Sequence, residues 1–292
     1  MNFDQQSWHT APVRTGVRVA KSLLRRAVPQ LSLTVVPYDA DRSHIFADLR
    51  TPLGLGIYRY GHYDPDIEIV GQLLEPGELF VDGGAHVGLF TLVGARRVGP
   101  AGRVIAFEPS TRVRRRLLDN VGLNGFHQVE VRAEALSSEP GEASMRVFEL
   151  SGSGLNHLGP AEGEAGAIET VKVTTLDRAI DASDRPRLRV MKLDLEGAEH
   201  AALRGAAELF QTTKPHLLLE IEAPHLARMG TSVAAIEQEL RGHGYTFFKT
   251  GADTAGRAFI TAISALADAA PRPNVLATVD PADVRRRGVA IR

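Results

Sequence analysis

The chain has 292 residues, of which 43% are hydrophobic and 24% are charged, as is ordinary for a globular protein of one or two domains. Its formal charge is −1, so no overall positive field attracts nucleic acid, and the absence of cysteine excludes disulfides, thiolate metal sites and cysteine nucleophiles. No apolar run reaches the about 18 residues of a membrane span and no signal sequence is recognisable, so we expect a cytoplasmic protein.

The first 30 residues predict a basic amphipathic helix. Basic residues recur there at helical spacing, each directly preceded by an apolar residue: Arg14, Arg18, Lys21 and Arg25. The segment 13–28 could contact an anionic membrane surface, an acidic partner or a second subunit. It could equally pack on the domain with its basic side chains in water. The oligomeric state stays open.

Residues 31–77 predict a short extension that includes a β-hairpin and a helix. Its strands are expected at Leu33–Val36, His44–Leu49 and Gly56–Tyr60. The tyrosines of the last segment could form a platform over a ligand or fill a hairpin face. A helix over residues 67–74 follows, and Asp64 or Asp66 can cap it.

The stretch from Glu78 to Leu92 predicts a strand, a tight turn and a helix. The apolar run Leu79–Val81 stops at Asp82, glycines follow, and apolar residues then return at helical spacing. The turn contains small residues that would let a ligand approach the backbone: Gly84, Ala85 and Gly88.

A second strand, Arg103–Phe107, ends at Glu108. In nucleotide-binding α/β folds an acid at this position accepts hydrogen bonds from ribose hydroxyls, so the two acids beside a glycine turn predict an adenosine-containing ligand. The spacing D-x-G-x-H-x-G differs from the G-x-G-x-x-G of dinucleotide sites, and Asp82 would repel a pyrophosphate. The same acid would suit the amino group and sulfonium of S-adenosylmethionine.

A third strand, Val129–Val131, precedes Glu134, which could hold an adenine amino group or could face solvent. Strands at Met145–Phe148 and Val171–Val173 flank a glycine-rich loop, Ser151–Gly166, that is long enough to cover a substrate.

Two later strands also end in acids. Leu188–Leu193 runs into Asp194, and Leu217–Leu219 runs into Glu220. Because the carboxyl ends of strands in an open α/β sheet meet at one edge, we expect these acids to face the same crevice. Further along, the pattern predicts a helix at 233–240 and strands at Tyr245–Phe248 and Asn274–Ala277. Residues 258–266 fit either helix or strand, and residues 281–292 read as a polar tail.

Four segments together resemble the FkbM family of S-adenosylmethionine-dependent methyltransferases in their order and spacing: Val81–Gly88, Val104–Pro109, Ala135–Ser137 and Met191–Glu199. The resemblance covers about residues 56–277. It implies a Rossmann-like class I methyltransferase sheet of seven strands with the last antiparallel, and O-methylation of a hydroxyl on a sugar or polyketide. The chain departs from the usual family pattern at Gly83 and at His86, where asparagine is frequent.

The resemblance also implies roles for individual residues. Around the methionine part of the cofactor it places Asp82, Gly84, Ala85, His86 and Gly88. Glu108 matches the ribose acid, Glu134 and Ala135 match the adenine neighbourhood, and Asp194 matches the fourth-strand acid near the methyl group.

Methyl transfer to an alcohol needs a base within hydrogen-bond reach, and Asp194 is our first candidate. Asp194, Glu196 and Glu220 could instead bind Mg²⁺ as oxygen ligands. Three histidines in predicted loops are alternative bases: His62, His157 and His225.

The sequence thus divides into a helix at 1–30, an extension at 31–77, a methyltransferase domain at 78–280 and a tail at 281–292. The expected acceptor is a small molecule or glycan hydroxyl. One rival function is a nicotinamide-dependent oxidoreductase. It predicts a G-x-G-x-x-G motif, which this sequence lacks. Another is a catalytically silent binding module, in which Asp82 or Glu108 should be dispensable.

Overall fold

The computed structural model describes residues 32–38, 43–61, 64–148, 154–159, 166–270 and 274–292. The predicted helix at 1–30 therefore lies outside the described residues. The α-helices are α1 (Pro52–Tyr60), α2 (Asp66–Leu73), α3 (Leu89–Val98), α4 (Thr111–Leu123), α5 (Leu176–Ala179), α6 (Glu199–Arg204), α7 (Leu209–Thr212), α8 (Ala223–Arg228), α9 (Val233–Gly242) and α10 (Pro281–Arg286). Single 3₁₀ turns lie at Arg185–Arg187 and Leu266–Ala269.

The strands are β1 (Leu33–Tyr38), β2 (Ser43–Asp48), β3 (Leu79–Gly83), β4 (Arg103–Phe107), β5 (Val129–Arg132), β6 (Ala135–Leu136), β7 (Gly141–Val147), β8 (His157–Leu158), β9 (Ala167–Thr174), β10 (Leu188–Leu193), β11 (His216–Glu220), β12 (Thr246–Ala252), β13 (Ala258–Ile263), β14 (Asn274–Thr278) and β15 (Ala290–Ile291).

The main sheet of the described chain has the strand order β15-β13-β12-β14-β11-β10-β3-β4-β5. Strands β5, β4, β3, β10 and β11 are parallel, and β14 lies antiparallel between β11 and β12. The prediction of an α/β fold with an antiparallel strand near the end of the chain is confirmed. The expected count of seven strands is wrong, because β13 and β15 extend the sheet beyond β12.

Of the ambiguous residues 258–266, Ala258–Ile263 form strand β13, and Leu266 begins a 3₁₀ turn. Ala258 and Ile260 are buried, whereas Phe259 between them is more exposed, which is the alternation of a strand. Residues 281–292 also differ from the expected polar tail, since they form α10 and β15. Two buried apolar side chains within this charged segment, Val284 and Val289, anchor it to the domain.

The extension contains the expected hairpin, because β1 pairs antiparallel with β2. The strand expected at Gly56–Tyr60 is wrong, since these residues belong to helix α1. The Thr51 hydroxyl caps α1 by accepting from the Gly54 N–H at 3.0 Å, and proline occupies the first turn. Gly61 ends α1 with φ +78°. These capping signals outweigh the local tyrosine content, which favours a strand.

A second sheet, with the order β6-β9-β7-β8, lies within the span of the domain that follows β5. The strands predicted around the glycine-rich loop are confirmed as β7 and β9. Of that loop, residues 154–159 and 166 are described, and they include the short strand β8. Its proposed role as a substrate cover stays a prediction.

Helices cover the main sheet on both faces. Along β3, Phe80 packs into one apolar cluster while Leu79 and Val81 pack into the other, and the residues of β4 alternate in the same way. A parallel sheet buried on both faces leaves the strand ends as the open edge. Among the described residues, no helix combines the length and the apolar character needed to cross a membrane.

Candidate functional site

The turn after β3 lies tightly between the ends of β4 and β10. The backbone N–H groups of Gly84 and Ala85 donate to the Phe107 carbonyl at 3.1 and 2.9 Å. On the other side, the Asp194 N–H donates to the Gly83 carbonyl at 3.2 Å. Gly84 has φ +71°, and a Cβ added there would lie 1.9 Å from the Asp194 carbonyl oxygen. Glycine is therefore required at this position by both conformation and space.

Gly88 ends the turn and precedes α3 with φ +98°. A Cβ at this position would lie 2.6 Å from Leu117 of α4. The two glycines thus serve close packing between elements. This packing sets the shape of the crevice edge on which the predicted cofactor would rest.

Glu108 follows β4 and is only 6% exposed. One carboxylate oxygen accepts from the His86 N–H at 2.9 Å, and the other accepts from the Ser110 N–H at 2.9 Å. Burial raises the pKa of Glu108 to about 7, although these two N–H groups favour the ionised form. The predicted ribose acid is therefore held at a fixed position directly beside the turn.

His86 contributes its backbone to this arrangement. It has φ +51°, a left-handed conformation that histidine and asparagine tolerate better than most residues. Burial, assisted by the nearby Lys192 ammonium, lowers the pKa of His86 to about 4, so the imidazole is neutral at physiological pH. The contact to Glu108 uses the peptide N–H, which any residue other than proline could supply.

Asp82 lies behind the turn, although the sequence suggested a position at its mouth. Its side chain is fully buried, and one oxygen accepts from the Thr91 hydroxyl at 2.5 Å. The other oxygen lies 3.7 Å from the Lys192 ammonium. Burial raises the pKa of Asp82, and the Lys192 charge opposes this rise. A fully buried carboxylate supports the turn from within and presents no atom to the surface.

Asp194 comes directly after β10, and its side chain is 40% exposed at this edge of the sheet, where we expect the ligand crevice. A carboxylate oxygen of Asp194 lies 3.2 Å from the ammonium of Lys192, which is itself buried on β10. The sequence analysis assigned no role to Lys192. The available signal was a lysine inside an otherwise apolar strand that is buried on both sides, since an uncompensated charge there would be costly.

The backbone after Asp194 is fixed by Glu199 of α6. The buried Glu199 carboxylate accepts from the Leu195 N–H at 2.6 Å and from the Gly197 N–H at 3.1 Å. Burial raises the pKa of Glu199 to about 7. The sequence analysis gave Glu199 no role. By binding these two N–H groups, Glu199 holds the chain folded back after β10 and so orients Asp194.

A second group of ionisable residues lies next to Asp194. Glu196 has φ +54°, and its carboxylate lies 3.0 Å from the Nδ1 atom of His225 on α8. Burial and the charge of Asp194 raise the pKa of Glu196 to about 8. Burial and the same charge also raise the pKa of Glu220 at the end of β11. This side of the crevice therefore carries more carboxylates than cations.

Within the part of the chain that the structure describes, Glu196, Glu220 and His225 form a group that could hold a metal ion, since their ligand atoms lie within 4.8 Å of one another. The predicted Mg²⁺ set instead contained Asp194, and that carboxylate pairs with Lys192. An imidazole nitrogen in place of an oxygen suits Mg²⁺ poorly, because Mg²⁺ prefers oxygen ligands. The geometry of the described residues thus does not favour the predicted magnesium set.

Ala135 is buried in β6, and Glu134 immediately before it is partly buried. Their place beside an adenine stays a prediction. Of the alternative bases, His225 lies among the acids of the crevice, whereas His157 is buried in the second sheet with its Nδ1 atom 3.0 Å from the Leu155 carbonyl. His62 lies outside the described residues.

The comparison with curated proteins gives relatives of low identity. The AMB antimetabolite synthetase AmbE of Pseudomonas aeruginosa is 26% identical over 209 residues, which are 60% of this chain and 10% of AmbE. The hexuronic acid methyltransferase AglP of Haloferax volcanii is 25% identical over 170 residues, which are 57% of this chain and 66% of AglP. The chain therefore spans a tenth of one relative and just under two thirds of the other.

Solved structures with a similar arrangement include the methyltransferase FkbM of Methylobacillus flagellatus KT. It has 15% identity and a TM-score of 0.42, over 93% of this chain and 60% of that chain. The TYW2 protein of M. jannaschii, solved in complex with AdoMet, has 10% identity and a TM-score of 0.43, over 85% of both chains.

A family model provides the assignment. The model of the methyltransferase FkbM domain matches residues 82–247, which begin at the acid of β3 and include the turn, Glu108, Asp194 and Glu220. The match confirms the resemblance that the sequence motifs suggested, and it extends over more than half of the 292 residues. The chain belongs to the FkbM methyltransferase family.

Proposed function

We propose that this chain transfers the methyl group of S-adenosylmethionine to a hydroxyl oxygen of a sugar, polyketide or related small metabolite. The observation that carries the proposal is the double attachment of the glycine turn. His86 binds Glu108 on one side through its N–H, and Gly83 binds the Asp194 backbone on the other. Glu108, the proposed ribose acid, and Asp194, the proposed acid on the methyl side, are thus both attached to this one turn, which supports a shared ligand site.

The residues of this crevice suit an adenosine sulfonium. Glu108 would accept hydrogen bonds from the ribose hydroxyls, and the partly exposed Asp194 would face the positive end of the ligand. The small residues Gly84, Ala85 and Gly88 leave room for the ligand to lie close to the backbone of the turn. Glu134 and Ala135 would lie near the adenine. S-adenosylmethionine, when bound, supplies an activated methyl group for in-line displacement.

The turn is less suited to a dinucleotide. Dinucleotide folds bind a pyrophosphate with free peptide N–H groups at the start of the helix. Here the turn that precedes α3 has four N–H groups that already donate to protein oxygens, those of Gly84, Ala85, His86 and Gly88. The sequence also lacks the G-x-G-x-x-G spacing, and together with the family assignment these two observations favour the methyltransferase over the nicotinamide-dependent rival.

For the chemistry, the chain must orient the acceptor, exclude water and accept the hydroxyl proton. Correct orientation alone can contribute on the order of 7 to 11 kcal/mol. We assign proton acceptance to Asp194, because its carboxylate is open to the crevice while Lys192 restrains its position. His225 is the alternative base, with Glu196 fixing its ring. The proposed reaction contains no step through Mg²⁺, because Asp194 pairs with Lys192 and does not join Glu196 and Glu220.

The hydroxyl of a sugar is the acceptor class that we favour. AglP, a relative at 25% identity, is named a hexuronic acid methyltransferase, which supports a carbohydrate acceptor by analogy. A polyketide hydroxyl is the second acceptor class implied by the family. A cytoplasmic location stays a prediction from the sequence.

Two measurements test the proposal. Purified protein is titrated calorimetrically with S-adenosylmethionine, S-adenosylhomocysteine and NAD, and we expect heat from the first two alone. Methyl-labelled S-adenosylmethionine is then supplied with glycan, lipid and small-metabolite extracts, and label is expected in glycan or sugar fractions. Binding of NAD alone would refute the function, whereas cofactor binding with label only in lipid would refute the acceptor class.

A further inference from the structure

Lys192 is a charged side chain in the middle of the sheet. Its strand neighbours Met191 and Leu193 are fully buried, and Lys192 itself is 4% exposed. In the parallel register Lys192 lies beside Asp82 of β3, and it precedes Asp194 by two residues. Side chains two residues apart in a strand point to the same face, so the lysine extends toward the crevice that Asp194 borders.

The ammonium of Lys192 reaches both sides of the turn. It donates to the carbonyl oxygens of Gly84 at 2.8 Å and Gly83 at 3.3 Å. It also lies 3.2 Å from a carboxylate oxygen of Asp194 and 5.2 Å from the centre of the Phe90 ring. The three N–H bonds of an ammonium can therefore all be used by the turn and by the acid.

The charge of Lys192 is maintained in spite of its burial. Burial lowers the pKa of Lys192, but the carboxylates of Asp194 and Asp82 outweigh this effect, so the pKa is raised. A positive charge thus lies between two negative ones. The net negative field that Asp194 directs into the crevice is correspondingly reduced, because the two opposite charges are only 3.2 Å apart.

We propose that Lys192 is a positioning residue that fixes Asp194 and the glycine turn, and that its charge prevents the crevice from favouring a sulfonium strongly over the neutral thioether. This inference rests on the proposed function, because it concerns how the same site distinguishes S-adenosylmethionine from its demethylated product. An acid without a cationic partner would hold the positive cofactor more tightly and would leave the thioether unaffected.

The test compares the affinities for S-adenosylmethionine and S-adenosylhomocysteine by calorimetry at constant pH and salt. In the unaltered chain, S-adenosylmethionine is expected to bind no more than about threefold more tightly than the thioether. Lys192→Met should shift the ratio toward the sulfonium by roughly fivefold or more. Lys249→Met, at an exposed position of β12, is the control and should leave the ratio unchanged.

Lys192→Met leaves the buried Asp82 carboxylate without its cation and could prevent folding. The double variant Asp82→Asn with Lys192→Met removes both buried charges while Asp194 stays unpaired, and the same shift in ratio is expected. An unchanged ratio in the folded variant, or a preference above about tenfold for the sulfonium in the unaltered chain, overturns the inference. If the unaltered chain binds neither compound, the proposed function fails first.

Discussion

Gly84 and Asp194 directly follow two different strands, β3 and β10, yet the backbone of one touches the backbone of the other. A single methyl group on Gly84 would lie 1.9 Å from the Asp194 carbonyl oxygen. The two predicted site residues are therefore coupled through the peptide chain, and the position of Asp194 depends on the absence of a side chain at residue 84.

This coupling predicts the effect of Gly84→Ala. The substituted residue would have to keep φ +71° and would also displace the end of β10, so we expect cofactor binding to be lost and stability to fall by more than about 2 kcal/mol. Gly61→Ala is a matched control, because Gly61 has φ +78° and open space around it. Urea denaturation and calorimetry measure both effects. Similar losses in the two variants would show that backbone conformation alone explains the result.

The assignment of the base predicts a selective loss in Asp194→Asn. We expect kcat to decrease by about 10²- to 10⁴-fold because the hydroxyl proton has no acceptor, while the enzyme keeps its fold. Initial rates of label transfer give the value. Asp181→Asn, at an exposed position in the segment between α5 and β10, should retain full activity. A greater loss in His225→Ala than in Asp194→Asn would assign the role to the histidine.

The raised pKa of Glu108 predicts how cofactor affinity depends on pH. Ribose hydroxyls donate to the ionised carboxylate, so affinity should fall about tenfold as the pH is lowered from 8 to 6 through the pKa of about 7. Calorimetry at each pH gives this dependence, and binding below pH 7 should release a proton. Glu108→Gln should bind more weakly and without this dependence.

Glu199 provides the control, since its pKa is also raised to about 7 but its carboxylate binds backbone N–H groups. The pH dependence should persist in Glu199→Gln, and its disappearance there would assign the titration to the wrong acid. For the stability of the cofactor-free protein, the pH dependence that Glu108 contributes has the opposite sign. The folded state binds this proton more tightly than the unfolded state, so the contribution of Glu108 to stability decreases as the pH rises from about 4.5 to about 7.

Position 86 should tolerate substitution, provided that the new residue can adopt a positive φ. His86→Asn should bind cofactor within about threefold of the unaltered chain, because the peptide N–H supplies the contact to Glu108 and asparagine accepts φ +51°. His86→Val should lose about 1 to 2 kcal/mol of stability, because a β-branched residue is strained at positive φ. Thermal or urea denaturation compares the two. A large loss in His86→Asn would instead indicate a direct role of the imidazole.

Much of the site could be predicted because strand ends are visible in the sequence. Apolar runs that stop at an acid placed Glu108, Asp194 and Glu220 at one edge of the sheet, and parallel strands bring such ends together. The pattern could not show how deeply each acidic side chain is buried. Asp82 follows the same rule in the sequence, but its side chain points behind the turn toward Thr91.

Two elements differ from the sequence-based expectation for different reasons. Tyrosines favour a strand at residues 56–60, whereas the local cap of Thr51 and the glycine at 61 favour helix α1. The charged composition of the C-terminal segment predicts a tail. Its order comes from the buried Val284 and Val289 together with Arg287, which donates to the Glu78 carboxylate at 2.8 Å across a separation of 209 residues.

The peptide groups of the turn are engaged on both sides, with N–H groups held by Phe107 and Glu108 and carbonyl oxygens held by Lys192. A loop in this condition is preorganised, so a ligand that binds to it gains little by reshaping it and loses little entropy in ordering it. Selection among acceptors must then come from more adaptable parts of the chain. Exchange of the acceptor-binding segments between relatives could alter the substrate while the cofactor cradle stays the same.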